Sequence, residues 1–205
     1  MVATAESIRA HVEALAALEP IFAEVVERLG IPEPRSSTPG AHTLLRTIVG
    51  QQVSVAAARS MWAKLEAAYG EPPDLAAILT ASDDDLRAAG ISRQKAGYAR
   101  SLSQLILSGK LDLAALPEDD EEAIALLTRI KGIGRWSAEI YLLFAEGRGD
   151  VWPAGDLAVQ IEVGRLLGLP ERPLEKHLRD IAERWRPYRG AAAILAWHSY
   201  NSSVL

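Results

Sequence analysis

The stretch "LLTRIKGIGRWSAEIYLLF" (126–144) holds one apolar helical turn, an interruption at Lys131-Gly132-Ile133-Gly134, and then a longer apolar run. Glycine reaches backbone conformations that other residues resist, so two glycines one residue apart specify a tight connection between helices. They also let backbone N–H groups at a helix start lie against something bulky and anionic. Read alone, the pattern fits a plain helix–turn–helix connection as well as an anion-binding hairpin. The rest of the chain has to separate the two.

The 205 residues suffice for one large domain or for two small lobes sharing a cleft. Hydrophobic residues make up 49% and the mean hydropathy is +0.04, which describes a soluble globular protein. No apolar run reaches the roughly 18–20 residues that a membrane helix needs, and the N-terminus lacks a signal-peptide pattern. The expectation is therefore no membrane partner and a cytoplasmic, bacterial-type protein. Zero cysteines exclude disulfides, Cys-ligated zinc and any iron–sulfur cluster together. The four histidines are scattered with no His-x-x-x-His pair, which argues against a metalloenzyme centre. His42, His177 and His198 receive no role. The net charge of −5 argues at first against a nucleic-acid partner. Its distribution softens that reading: residues 1–90 carry 7 Lys+Arg against 12 Asp+Glu, whereas residues 91–205 carry 15 of each. The second half can thus present a local basic face.

Nearly every segment has a helical period, and none alternates convincingly as a strand. Ile8, Val12, Leu15 and Leu18 mark a first helix, and Pro20 opens a second that ends near Gly30. A loop rich in proline and serine, "IPEPRSSTPG" (31–40), follows. Then come two helices divided around Gln51–Ser54, with Ser54 as N-cap. Ser82 and Asp85 have the spacing of a capping box, and Ser92 caps "RQKAGYARSLSQLILSG". Further helices are expected near 120–128, 135–146, 157–167, 173–184 and 188–200. The fold class is all-α, with about ten or eleven short helices.

The context of the two glycines decides between the readings. Asp156 lies 22 residues beyond Gly134, in "GRGDVWPAGDLAVQIEVGRLLGL" (147–169), immediately before an apolar helix. A carboxylate there is at least an N-cap, and Trp152-Pro153 gives it a stiff, apolar approach. At these residues the chain resembles the helix–hairpin–helix/Gly-Pro-Asp superfamily of DNA glycosylases, which joins a hairpin of the form LxGIGxxTA to an aspartate about twenty residues later. More narrowly it is similar to the AlkA-type alkylbase (3-methyladenine) glycosylases, through "IVGQQVSVAAA" (48–58), "GISRQKAGYARSLSQLI" (90–106) and "AERWRPYRGAAAILAW" (182–197). The likeness covers about residues 38–200 in order. Two positions depart from it: Lys131 stands where the hairpin usually has proline, and Ser137 where it has threonine. Residues 1–37 leave no room for the added N-terminal α/β domain of some members, so the expectation is the compact form.

The resemblance implies a two-lobed helical fold with the active-site cleft between lobes. One lobe would be about 38–115; the other would be 1–37 with 116–205, holding the hairpin (128–137) and Asp156. It implies hydrolysis of the N-glycosidic bond of an alkylated purine flipped out of damaged double-stranded DNA, by a chain expected to be monomeric. Asp156 would be catalytic, stabilising positive charge on the sugar or orienting water. Trp136 stands where members that also cut the strand carry a Schiff-base lysine, so the enzyme would be monofunctional. Trp136 and Trp197 would line the base pocket, an indole face suiting an electron-poor alkylated base. Trp62, Trp185 and Tyr188 read as structural. In "GQQVS", Gln52 would fill the gap left by the flipped nucleotide, with Gln51 and Val53 beside it. Gly132, Gly134, Arg135, Arg93 and Lys95 would contact the DNA backbone. No cofactor is required; the main-chain carbonyls of Thr128, Ile130 and Ile133 would hold a structural Na+ or K+. The competing reading is a non-catalytic helix–hairpin–helix DNA-binding module, which would need "GIG" but neither Asp156 nor an aromatic pocket.

Overall fold

Helix caps punctuate the chain where the sequence places them. In the computed structural model, which describes residues 5–35 and 37–203, the regular elements are all helical and no strand occurs among the described residues. None of the helices is long and apolar enough to cross a membrane. The chain divides into two units: residues 38–138, and residues 1–37 with 139–205.

The central unit contains α3 (Ala41–Gly50), α4 (Val55–Tyr69), α5 (Leu75–Thr80), α6 (Asp83–Ala88), α7 (Arg93–Leu107) and α8 (Asp120–Leu127). Ser54 caps α4 by accepting from the Ala57 N–H at 3.2 Å, and Ser92 caps α7 by accepting from that of Lys95 at 3.3 Å. Ser82 accepts from the Asp85 N–H at 3.1 Å, but Asp85 answers to the Ser82 hydroxyl rather than to its backbone. Only half of the expected box therefore forms. The helix with no periodic signature is α5; six residues give too few turns, and Asp74 starts it by accepting from the N–H groups of Ala76 and Ala77. Leu44, Leu45 and Ile48 of α3, Ile78 of α5 and Leu102 of α7 are fully buried together with Leu65 and Leu86, and α3 and α5 pack on α7. Trp62 is core as expected, with its indole N–H on Glu66 and the Arg46 guanidinium 4.5 Å from its ring.

The other unit is built from α1 (Ala5–Leu18), α2 (Pro20–Leu29), α10 (Leu157–Leu166), α11 (Glu175–Ala182), a single 3-10 turn (Glu183–Trp185) and α12 (Arg189–Ser203). Between α8 and α10, α9 (Arg135–Phe144) crosses the division. Trp185 is the centre of this core, edge-on to Phe22 at 5.1 Å and to Trp152 at 5.5 Å. Its indole N–H reaches Glu19 at 2.9 Å, which satisfies the one polar atom a buried tryptophan carries. The small residues Gly190 to Ala193 let α12 approach closely: a Cβ at Gly190 would lie 2.6 Å from the Gly149 carbonyl oxygen. Leu18, expected on the apolar face of α1, is 52% exposed, because Leu15 completes that face.

One boundary differs from the sequence reading. Residues 116–138, expected with the terminal lobe, belong to the central unit. The ties are specific. Gln51 donates to the Gly132 carbonyl at 2.8 Å, the Lys131 N–H donates to Ser101 at 3.1 Å, and Arg129 donates to the Lys110 carbonyl at 3.2 Å.

Candidate functional site

The segment Val151-Trp152-Pro153-Ala154 is buried and leads directly to Asp156, the N-cap of α10. Burial of this loop is matched by donors on its carbonyls. Arg179 donates to the Trp152 carbonyl at 3.3 Å and Gln160 to that of Ala154 at 2.8 Å. Gln160 is itself oriented by Arg172, which donates to its Oε1 at 3.0 Å, and Arg179 is held by Glu139 at 2.9 Å. On Asp156, the Val159 N–H and the Trp197 Nε1–H both donate to Oδ1, each at 3.0 Å. Two donors from different helices on one oxygen fix the plane of the carboxylate. The Trp197 ring packs against Phe144 at 5.7 Å, and with Phe144, Ile8 and Ile194 it walls a cavity of about 360 Å³.

The clamp of Glu139, Gln160, Arg172 and Arg179 was not read from the sequence. Glu139 carried the one available signal, a carboxylate inside the apolar run "WSAEIYLLF" that ends up 1% exposed. A charge at such a position requires a partner. Which partner is a matter of folding, since Arg179 lies forty residues away in sequence.

In the central unit the hairpin accounts for its two glycines differently. Gly132 has φ +83°, and a Cβ there would lie 2.1 Å from the Tyr98 ring, so both backbone and packing require glycine. Among the described residues, no heavy atom beyond its chain neighbours lies within 4 Å of such a Cβ at Gly134, so packing does not demand glycine there. It sits just before α9, whose first-turn N–H groups the helix cannot satisfy itself. Trp136, in that turn, is 46% exposed and is not a core residue. Arg135 forms a two-pronged ion pair with Glu121. The Ile130 carbonyl accepts the Ile133 N–H at 3.0 Å within the hairpin turn.

The loop between α3 and α4 carries the one positive φ outside glycine among the described residues, +55° at Gln52. Gln52 and Val53 are exposed, whereas Gln51 is half-buried, its side chain on the Gly132 carbonyl. Arg93 is 87% exposed and 3.7 Å from Asp83. Lys95 requires a correction: it is 9% exposed, and its Nζ donates to the Val49 carbonyl at 2.8 Å. It faces inward on α7 and does not present its charge to a phosphate. Burial pushes its pKa below the ordinary lysine value.

Residues 45–187 match the family model of the HhH-GPD superfamily base excision DNA repair proteins. The chain belongs to this superfamily. The matched span includes the 128–137 segment and Asp156. Among relatives, YfjP of Bacillus subtilis is 29% identical over 164 residues, which cover 76% of this chain and 57% of YfjP. The chain therefore spans little more than half the length of that relative. Among solved structures of the HhH-GPD fold, the Bacillus halodurans DNA-3-methyladenine glycosidase has a TM-score of 0.86 at 30% identity, covering 95% of this chain and 90% of that one. The Schizosaccharomyces pombe 3-methyladenine DNA glycosylase Mag1, in complex with abasic DNA, has a TM-score of 0.79 at 28% identity, covering 96% and 97%.

Proposed function

We propose that this chain is a monofunctional DNA glycosylase that hydrolyses the N-glycosidic bond of alkylated purines, such as 3-methyladenine and 7-methylguanine, flipped out of duplex DNA. The observation that carries the reading is Asp156, a carboxylate fixed at the start of α10 by the Val159 N–H and the Trp197 indole. The names of the two solved relatives support the substrate class. As the C1′–N bond breaks, positive charge develops on the sugar. A preoriented carboxylate lowers the energy of that state without having to reorganise.

The duplex would dock on the hairpin, where the open space around Gly134 admits a phosphate to the α9 N-terminus. The main-chain carbonyls of Thr128, Ile130 and Ile133 are hard oxygen donors of the kind that suits Na+ or K+, which would add positive charge beside that phosphate. Gln52 is the residue proposed to fill the vacated stack, and Trp197, whose indole N–H meets Asp156, is the proposed aromatic surface for the base. Monofunctionality rests on Trp136, which offers no amine to the sugar.

The test is release of methylated bases from alkylated duplex DNA, with strand scission measured before and after alkali and with borohydride present. Base release, breaks only after alkali and no trapped adduct are expected. A trapped adduct would show that an amine such as Lys131 reaches the sugar. Binding without release would reduce the protein to a binding module.

A further inference from the structure

Gln52 adopts a left-handed backbone conformation that glycine would adopt without cost. Strain of this kind persists only where the surroundings over-determine it. The surroundings here are two side chains, one on each side of the loop's start. Lys95, buried on α7, donates from Nζ to the Val49 carbonyl at the end of α3. That carbonyl is among the last of the helix and has no partner within it, and a cation is favoured at this helix end. Two residues later Gln51 leaves the helix with its own N–H on Ile48, and its carboxamide crosses to the Gly132 carbonyl of the hairpin. Gly132 is immobilised in turn, because the Tyr98 ring fills the space where a side chain would be.

We propose that Lys95 and Gln51 are positioning residues that hold Gln52 in its strained, presented conformation, with Gln51 setting its register against the hairpin. The proposal rests on the reading of Gln52 as the residue that fills the flipped nucleotide's place. It assigns "GQQVS" two functions. The second glutamine enters the duplex, and the first never leaves the protein.

The test uses the full chain with Gln51→Met and Lys95→Met, which keep an unbranched side chain and remove the donor. Backbone NMR order parameters at Gln52 and Val53 in the free protein should fall from the rigid range, about 0.85, to below about 0.6. Those in the middle of α4 should not change. Single-turnover excision at saturating enzyme should drop roughly three- to tenfold on a paired target, the range that one net hydrogen bond spans. On a mispaired target, already partly unstacked, the drop should be smaller. Unchanged order parameters in both variants would overturn the anchoring. An equal loss on paired and mispaired targets would overturn its link to flipping. Gln52→Ala measured in parallel separates the two failures. If it alone loses paired-duplex excision, the wedge reading stands without these anchors; if it loses nothing, the wedge reading has failed as well.

Discussion

Replacing Asp156 by asparagine removes one charge and turns one acceptor oxygen into a donor while keeping the size of the side chain, which makes it an informative change. Asparagine caps a helix about as well as aspartate, and its carbonyl oxygen can accept both the Val159 N–H and the Trp197 indole N–H that now end on Oδ1. The fold should therefore be retained, with a melting temperature within about 1–2 °C of wild type, as a change of no more than about 0.5 kcal/mol implies for a domain of this size. Catalysis should not be retained. A carboxylate about 4 Å from a unit positive charge, at an effective dielectric constant of about 20, is worth about 4 kcal/mol. Losing that in the transition state slows the reaction by about a thousandfold. The comparison variant is Asp156→Ala, which also loses the cap, about 1 kcal/mol, and melts about 2–4 °C lower. The assay is single-turnover release of 7-methylguanine from methylated duplex, with binding to an abasic duplex measured in parallel. Excision by Asp156→Asn within tenfold of wild type, in a protein that melts normally, would refute the electrostatic role of this carboxylate.

Gln52→Ala should excise more slowly from paired than from mispaired targets, since unstacking a paired base costs a few kcal/mol, while Gln52→Leu keeps the bulk and most of the rate; equal rates for all three would move the wedge elsewhere in the loop. Gly132→Ala should weaken DNA binding by at least tenfold in a gel-shift titration and lower the melting temperature, because the new Cβ meets Tyr98 at a backbone angle alanine resists. Buried Glu162 gives a pH signature. Burial pushes its carboxyl up, but hydrogen bonds from Arg165 and Ser199 and the charges of Arg165 and Arg28 outweigh that and hold its pKa below the ordinary value. A depressed carboxylate contributes stability above its unfolded pKa, about 4.3, and loses it as pH falls through the folded value. Thermal melts from pH 6 to pH 3 should therefore fall less steeply for Glu162→Gln than for wild type.

Local chemistry made much of this protein legible without coordinates. Helix starts were readable at Ser54, Ser82 and Ser92 because a hydroxyl cap needs only an N–H three residues away. The all-helical class followed from apolar spacing, which is set by the helix period itself. The exposed hairpin and Asp156 at a helix start were readable for the same reason, since glycine pairs and capping carboxylates act within a turn of their own position. What the tertiary structure decided was which side chains are spent inside the protein. Lys95 and Arg93 lie on the same helix with the same charge, yet one is buried against Val49 and the other is 87% exposed. Gln51 and Gln52 are the same residue twice, separated by a tie to Gly132 eighty-one positions away. Glu139 announced a buried charge, but only the fold could supply Arg179 as its partner. Periodicity reports which face of a helix is apolar; the partner of a polar atom is fixed by contacts between segments far apart in the chain, and no spacing along one segment encodes it.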